Sequence, residues 1–467
     1  MSKISQMILP TEVETSNYQA NSPSLEARTD TIYLRPQNVN NNVCSFRLQN
    51  NGILDLSKSG VVLQALGNEN NGYIVNNGVG GLVESCSLRF GNVVVANTNN
   101  FSGYMACSRS FVSGDTKRYL DSYTYLTSDI FENRIDAGNT AHDGIGFATS
   151  INPAHTRLTT NADNGSDGFL PLSLLFPGFM SLDIATFVLH PSQEITIDIV
   201  FTNESGYGDR VIRTTSGQAF SSNTIAENNV LLIQEVVYFS SLRMAQIQNS
   251  YKENGFTSSY TDIISTKNDL GDFAQTDSAK RETFDIGGAG KMVEGFLAMT
   301  PRTDRDDSNT HATLVRNAVG RYGSSSFQNN SFNLIINGER VLPLDAENMY
   351  FSIRASLLGS FIENDYPQIP KGFYDTFQNE GVSDVSYNGI NNSAGMKGEL
   401  SYFGMKLKDC KVNNVPVRLD LYRKQKILDP SDPTDSGEKF RCGLTTFLFV
   451  KRIFRIDEMG MVSSTYA

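Results

Sequence analysis

The chain alternates between short apolar or period-two runs and long polar stretches. Nine runs have the length and pattern of strands: residues 31–34, 43–48, 61–66, 86–95, 194–201, 230–239, 332–341, 417–422 and 446–456. Each is rich in Val, Ile, Leu or Phe and bounded by Asn, Gly, Ser or Asp, the composition that suits a half-buried pleated surface between turns. Helical spacing is rare and predicts helices only over 115–129, 240–252 and 344–358. Polar, Gly/Asn-rich stretches at 137–168, 303–327 and 372–398 separate the strands. Loops of that length in a compact domain are contact surfaces or linkers.

The pattern repeats once. Leu88-Arg-Phe-Gly91-Asn92-Val-Val-Val95 reads as strand, tight turn, strand, and so does Leu334-Ile-Ile-Asn337-Gly338-Glu-Arg-Val341. Asn-Gly is a strong two-residue hairpin signal. Tyr104 and Tyr350 each follow their turn by 13 residues. Ile195-Thr-Ile-Asp198-Ile resembles Val417-Arg-Leu-Asp420-Leu, both with an Asp on the polar face of an alternating strand. Leu231-Leu-Ile-Gln-Glu-Val-Val237 matches Leu448-Phe-Val-Lys-Arg-Ile-Phe454. The three landmarks recur in the same order at offsets of 246, 222 and 217 residues. They predict two related β domains, with a short segment 1–29 preceding residues 30–245 and 246–467. Some eight short strands in more than 200 residues per half suit a jelly roll better than an immunoglobulin sandwich of about 100 residues. The expected fold class is therefore all-β: two tandem eight-stranded sandwiches with long decorated loops and few short helices.

Composition narrows the function. Of 467 residues, 39% are hydrophobic and only 19% charged, while 43 are Asn and 38 Gly, so uncharged turn-formers cover the surface. With 28 Phe and 19 Tyr there is ample aromatic area for a core. A net charge of −11 argues against a protein that coats nucleic acid. Residues 1–30 hold only Lys3 and Arg28, against Glu12, Glu14, Glu26 and Asp30, and residues 459–467 hold no basic side chain. No basic arm for direct nucleic-acid binding is expected. Five widely spaced cysteines, Cys44, Cys86, Cys107, Cys410 and Cys442, contain no CxxC and read as reduced thiols of a protein made inside a cell and not secreted. The most apolar window, 169–180, is short and carries Pro171 and Pro177, so no transmembrane segment is expected.

Motifs for chemistry fail on inspection. Gly287-Gly-Ala-Gly-Lys291 lacks the first glycine of a phosphate loop, where Asp285 stands, and Met292 replaces the metal-binding hydroxyl, so a β-turn is expected. Asp304, Asp306 and Asp307 do not fit a calcium loop, because Asn309 and Val315 occupy its glycine and terminal glutamate positions. His142, His155, His190 and His311 never fall at metal-binding spacing, and no GxSxG elbow is present. No catalytic, cofactor-binding or metal-binding residue is assigned, no cofactor is expected, and the chain reads as a non-enzyme.

Leu170-Pro-Leu-Ser-Leu-Leu-Phe-Pro-Gly178 leading into Glu194-Ile-Thr-Ile-Asp-Ile199 resembles the late first-domain region of double jelly-roll major capsid proteins, most closely those of polinton-like viruses and virophages. The Ser87-Leu-Arg-Phe-Gly-Asn92 hairpin with Tyr104, and its echo over 332–350, are similar to the same family. The resemblance spans residues 30–460. It implies a structural protein of the virion: two jelly rolls side by side, three copies forming a pseudo-hexagonal capsomer, and capsomers tiling the icosahedral shell of a double-stranded DNA virus. It also implies contacts with neighbouring capsomers and with minor capsid and penton proteins. The alternative from composition and fold class is a carbohydrate-binding or carbohydrate-cleaving jelly roll, which zero Trp disfavours.

Overall fold

A computed structural model describes residues 27–40, 42–49, 52–65, 72–75, 83–101, 103–104, 155–158, 166–180, 186–188, 194–201, 211–213, 230–274, 279–299, 328–343, 345–347, 402–424 and 439–467. The first half contains β1 (Ala27–Leu34), β2 (Asn38–Asn40), β3 (Val43–Arg47), β4 (Ile53–Ala65), β5 (Gly72–Val75), β6 (Val83–Phe90), β7 (Val93–Asn99), β8 (His155–Leu158) and β9 (Ser166–Pro171). Two one-turn helices follow, α1 (Leu172–Leu175) and α2 (Pro177–Met180), then β10 (Thr186–Val188), β11 (Ile195–Phe201), β12 (Val211–Arg213) and β13 (Val230–Phe239). Helix α3 (Ser241–Asn254) leads to β14 (Phe256–Ala274), β15 (Lys280–Gly287), β16 (Met292–Met299), β17 (Gln328–Ile336), β18 (Glu339–Arg340) and β19 (Ala346–Glu347). The chain ends in β20 (Tyr402–Lys411), β21 (Val417–Lys424), β22 (Lys439–Ile456) and β23 (Val462–Tyr466).

The sheets are antiparallel. In the first half they run β1-β13-β4-β10, with β9 also on β4, and β2-β3-β11-β6-β7; β12-β5-β8 form a small separate sheet. In the second half they run β14-β22-β16-β20, with β23 also on β22, and β15-β21-β17-β18, with β19 also on β17. Take the main strands of each half in chain order: β1, β3, β4, β6, β7, β10, β11, β13, and then β14, β15, β16, β17, β18, β20, β21, β22. Both halves then pair as 1-8-3-6 and 2-7-4-5, the order of a jelly roll. The fold is two tandem jelly rolls.

The repeat landmarks fall on equivalent strands. Both turns join the fourth and fifth strands, and Asp198 and Asp420 lie on the seventh, paired with Ser87 and Asn333, which are again 246 residues apart. Burial follows the expected alternation: Ile195, Ile197 and Ile199 point into the first core, and Val417, Leu419 and Leu421 into the second. The third landmark needs correction. It does fall on both eighth strands, but Leu232 faces the first core while its sequence match, Phe449, packs on Tyr104 outside the second core. Leu448 is the residue that faces inward, so the matched runs are one residue out of register, and a slip of one turns each side chain to the opposite face.

Helix α3 agrees with the helix expected over 240–252. The helix expected over 344–358 is contradicted at its described start, where Ala346–Glu347 pair with Ser331 and Phe332 as a strand; that ladder outweighs a weak helical pattern. The helix expected over 115–129 lies outside the described residues.

The strand ends are polarised. In the second roll, Ala274 lies opposite Lys439, Met299 opposite Tyr402 and Gln328 opposite Lys424, so the long connections all join one end. The first roll behaves alike, with Ala65 opposite Ser166 and Phe201 opposite Val83. The opposite end holds the short turns at 91–92, 288–291, 337–338, 412–416 and 457–461.

Candidate functional site

The seam between the rolls is built on the free edge of β7. That strand pairs only with β6 among the described residues, which leaves its outer carbonyls in need of donors. Side chains of the second roll supply them. The Tyr260 hydroxyl donates to the Val95 carbonyl, and Arg452 donates to Val95 at 3.0 Å and to Val94 at 2.6 Å. Arg452 also pairs with Asp262 at 2.9 Å, and the Tyr466 hydroxyl donates to the same carboxylate at 3.3 Å. Burial pushes the Asp262 carboxyl above its ordinary value, against the opposing pull of Arg452. Burial likewise raises the Tyr260 and Tyr466 phenols.

Around this polar line the seam is aromatic. Phe179 from α2 meets Tyr260 edge-on at 5.2 Å and Phe454 at 5.4 Å, and Phe454 also packs on Phe90 at 5.4 Å. Each such pair contributes about 0.5–1.5 kcal/mol beyond area burial. A Cβ on Gly178 would overlap the Thr261 carbonyl oxygen, so glycine is required at that approach. Phe256, Phe454, Ile456 and Val462 of the second roll belong to the first roll's core cluster. Tyr104 touches Phe447 at 5.6 Å further toward the long-connection end. Contacts of β7 near the short turns at one end, and of Tyr104 toward the other, give both rolls the same direction.

The outer faces of the two 2-7-4-5 sheets carry matching charge clusters. Asp198 accepts from Arg89 and, at 2.6 Å, from Ser45. Asp420 accepts from Arg281 and Arg340, both at 2.9 Å. Asp345 pairs with the same arginines at 2.5 and 3.2 Å and accepts from Asn333 at 3.0 Å. Partial burial opposes ionisation of Asp345, but Asn333 and the two arginines outweigh it and hold its pKa below the ordinary value. These clusters tie neighbouring strands of each sheet together.

The Gly287–Lys291 run forms the turn between β15 and β16. Gly287, Gly288 and Gly290 have φ of +93, +82 and +71°, and a Cβ on Gly288 would come within 2.7 Å of Leu448. Lys291 is directed over the Tyr466 ring at 4.6 Å. Asn337 and Gly338 have φ of +55 and +87°, as the hairpin signal requires. Asn337 also clamps the 412–416 turn, donating to Lys411 O at 3.1 Å and accepting from Asn413 N at 2.8 Å. Asp304, Asp306 and Asp307 lie outside the described residues, as do His142, His190 and His311. Among the described residues Cys44, Cys86 and Cys410 are free thiols, no cluster of metal-ligating side chains occurs, and no helix is long and apolar enough to cross a membrane.

These observations define a class by fold: a double jelly roll whose two rolls are fused in parallel by a buried seam. Solved structures share that architecture across nearly the whole chain. The mavirus major capsid protein aligns with a TM-score of 0.50 and 10% identity over 93% of this chain and 90% of its own. The Faustovirus major capsid protein gives 0.50 and 8% over 95% and 94%. A chain of the Sputnik virophage gives 0.51 and 9% over 94% and 88%. No family model and no curated protein sequence matches the chain.

Proposed function

We propose that the chain is the major capsid subunit of an icosahedral double-stranded DNA virus, a non-enzymatic protein of the virion made inside the host cell. The observation that carries this reading is the fusion of two rolls of identical strand order, in the same direction, through a buried aromatic seam. A shell tile needs a stiff block with unlike ends, and this arrangement supplies one. The fold similarity to two major capsid proteins over nine-tenths of both chains supports the same conclusion.

Three copies place six rolls in a pseudo-hexagonal capsomer, closing by rotation through heterologous contacts. The domains are residues 30–245 and 246–467 after a segment 1–29, with the bounds moved to whole elements: the first domain starts with β1 at Ala27, and α3 (Ser241–Asn254) is the connection between the two. The end bearing the long connections faces outward and the end bearing the short turns faces inward, where minor capsid and penton proteins are met. Exposed Met459 and Met461 lie at that inner end, on a turn whose amides are held by Asp457. A net charge of −11 opposes close contact with DNA, so genome retention is assigned to other components. Electron microscopy of the purified assembled protein tests the reading, and hexagonal outlines support it. A monomer that binds glycans on an array would replace it with the carbohydrate reading.

A further inference from the structure

The short-turn end of β4 has a strand on each side. Glu235–Val237 of β13 pair with Asp55–Ile53, and Thr186–Val188 of β10 pair with the same residues from the far side. In roll two the place beside the eighth strand is taken by β23, whose Val462–Tyr466 pair with Ile456–Arg452 of β22. Among the described residues β23 pairs with β22 alone. Roll one has residues 172–194 between β9 and β11 to supply β10, whereas roll two has only the turn 412–416 between β20 and β21, too short to lay down another strand and return. Asp457 N donates to Met461 O at 3.0 Å and Ala467 N to Lys451 O at 3.1 Å. The odd-numbered residues of β23 therefore bond to β22, and the backbone groups of Val462, Ser464 and Tyr466 point outward. β23 carries no charged side chain and no proline to guard that edge.

We propose that residues 11–15 of the same chain fill this place, adding to the outer edge of β23 as an extended strand held by main-chain hydrogen bonds. Residues 1–26 lie outside the described residues, and their sequence fits the edge. Thr11-Glu12-Val13-Glu14-Thr15 alternates with period two, β-branched on one side and acidic on the other. β23 has the matching two sides. Val462 belongs to the first core cluster and Ser464 lies 3.2 Å from the Tyr260 hydroxyl, both on the seam side. Ser463 and Thr465 are exposed on the other side, where Arg455 lies opposite Ser463 and is itself exposed. No acid among the described residues pairs with Arg455, so a glutamate placed beside the small Ser463 has a cation to reach. The link is long enough. Ala27 lies opposite Phe239, where β13 ends, and α3 carries the chain from there to Phe256, two strands from Val462. Helix α3 has 14 residues and is about 21 Å long, whereas residues 16–26 extend to about 36 Å. The contact lies within one chain and does not depend on capsid assembly. It removes the edge of β23 from pairing with other chains.

The test is hydrogen exchange of the full chain, read at the Ser464 and Tyr466 amides, with circular dichroism confirming the fold of each variant. In the wild type both amides are protected, and equally so at every protein concentration. Glu12→Pro/Val13→Pro speeds their exchange by about tenfold, because one of two successive N–H groups faces β23 whichever way the strand lies. Glu12→Lys/Glu14→Lys keeps the strand pattern but sets like charges beside Arg455, and speeds exchange by about threefold; adding Arg455→Glu slows it again. Unchanged exchange in either of the first two variants overturns the proposal, since another segment then covers the edge. Wild-type amides that exchange as fast as in an unstructured peptide also overturn it, because the edge is then open. Protection lost on dilution does the same, placing a second copy on the edge.

Discussion

Arg452 hydrogen-bonds the backbone carbonyl oxygen of Val94, a residue of the other roll, at 2.6 Å. A strand edge of one roll is thereby capped by a side chain of its neighbour, which blocks strand addition at that edge and ties the rolls together. The matching polar interruption in the first roll acts within that roll alone. There, buried Gln234 holds the connection at Gln49 through hydrogen bonds of 2.6 and 2.9 Å.

Arg452→Met leaves the Asp262 carboxylate buried without its cation. The expected loss is about 3–5 kcal/mol, because removing one partner of a buried pair exposes the full desolvation cost of the other. Adding Asp262→Leu recovers part of it. Chemical denaturation of Arg452→Met, Asp262→Leu and the double variant measures the coupling, and a double-variant loss equal to the sum of the two single losses would show that the pair is not coupled.

Two acids give opposite pH responses. Asp262 has a folded-state pKa above its ordinary 3.8 because of burial. Its contribution to stability is therefore complete below about pH 3.8 and is lost as pH rises through the raised value. Asp345 is shifted down, so its contribution is present above 3.8 and is lost as pH falls through the lowered value. Melting temperatures against pH are the check. Relative to Asp262→Asn, the wild type gains as pH falls through the raised value toward 3.8; relative to Asp345→Asn, it loses as pH falls below 3.8.

Thiol reactivity should be graded. Burial pushes Cys44 up to about 11 and raises Cys86 further, whereas Cys410 is only half-buried. Under native conditions at pH 8 a thiol reagent labels Cys410 well before Cys44 or Cys86. After denaturation without reductant it labels five per chain; three or one would reveal disulfides.

Gly338 has open space around its Cβ position but a φ of +87°. Gly338→Val therefore costs on the order of 1–3 kcal/mol through backbone strain alone, and Gly338→Asn much less, since Asn tolerates that region. Equal denaturation midpoints for the two variants would show that strain is not the cause.

Much of this fold was legible because the inward-facing residues of β11, β13 and β21 alternate cleanly and the two hairpin turns carry their own backbone chemistry. Strand β14 was not. Its Ser258-Ser259 and Lys267-Asn268-Asp269 read as turn material, yet it pairs with β22 along its whole length. Pairing with a strongly apolar partner overrides such local preference. The seam was invisible for another reason. Val95 and Arg452 are 357 residues apart, and Tyr260, Asp262 and Phe179 carry no motif; only the fold brings them together. The one hint was the Lys451-Arg452 break in the apolar run Phe447–Phe454.

The mass of the native protein at micromolar concentration tests the central claim most directly. A species at about three times the 51.5 kDa chain is the expected result for a subunit that closes a three-membered ring through heterologous contacts. A folded, stable monomer at the same concentration would contradict it.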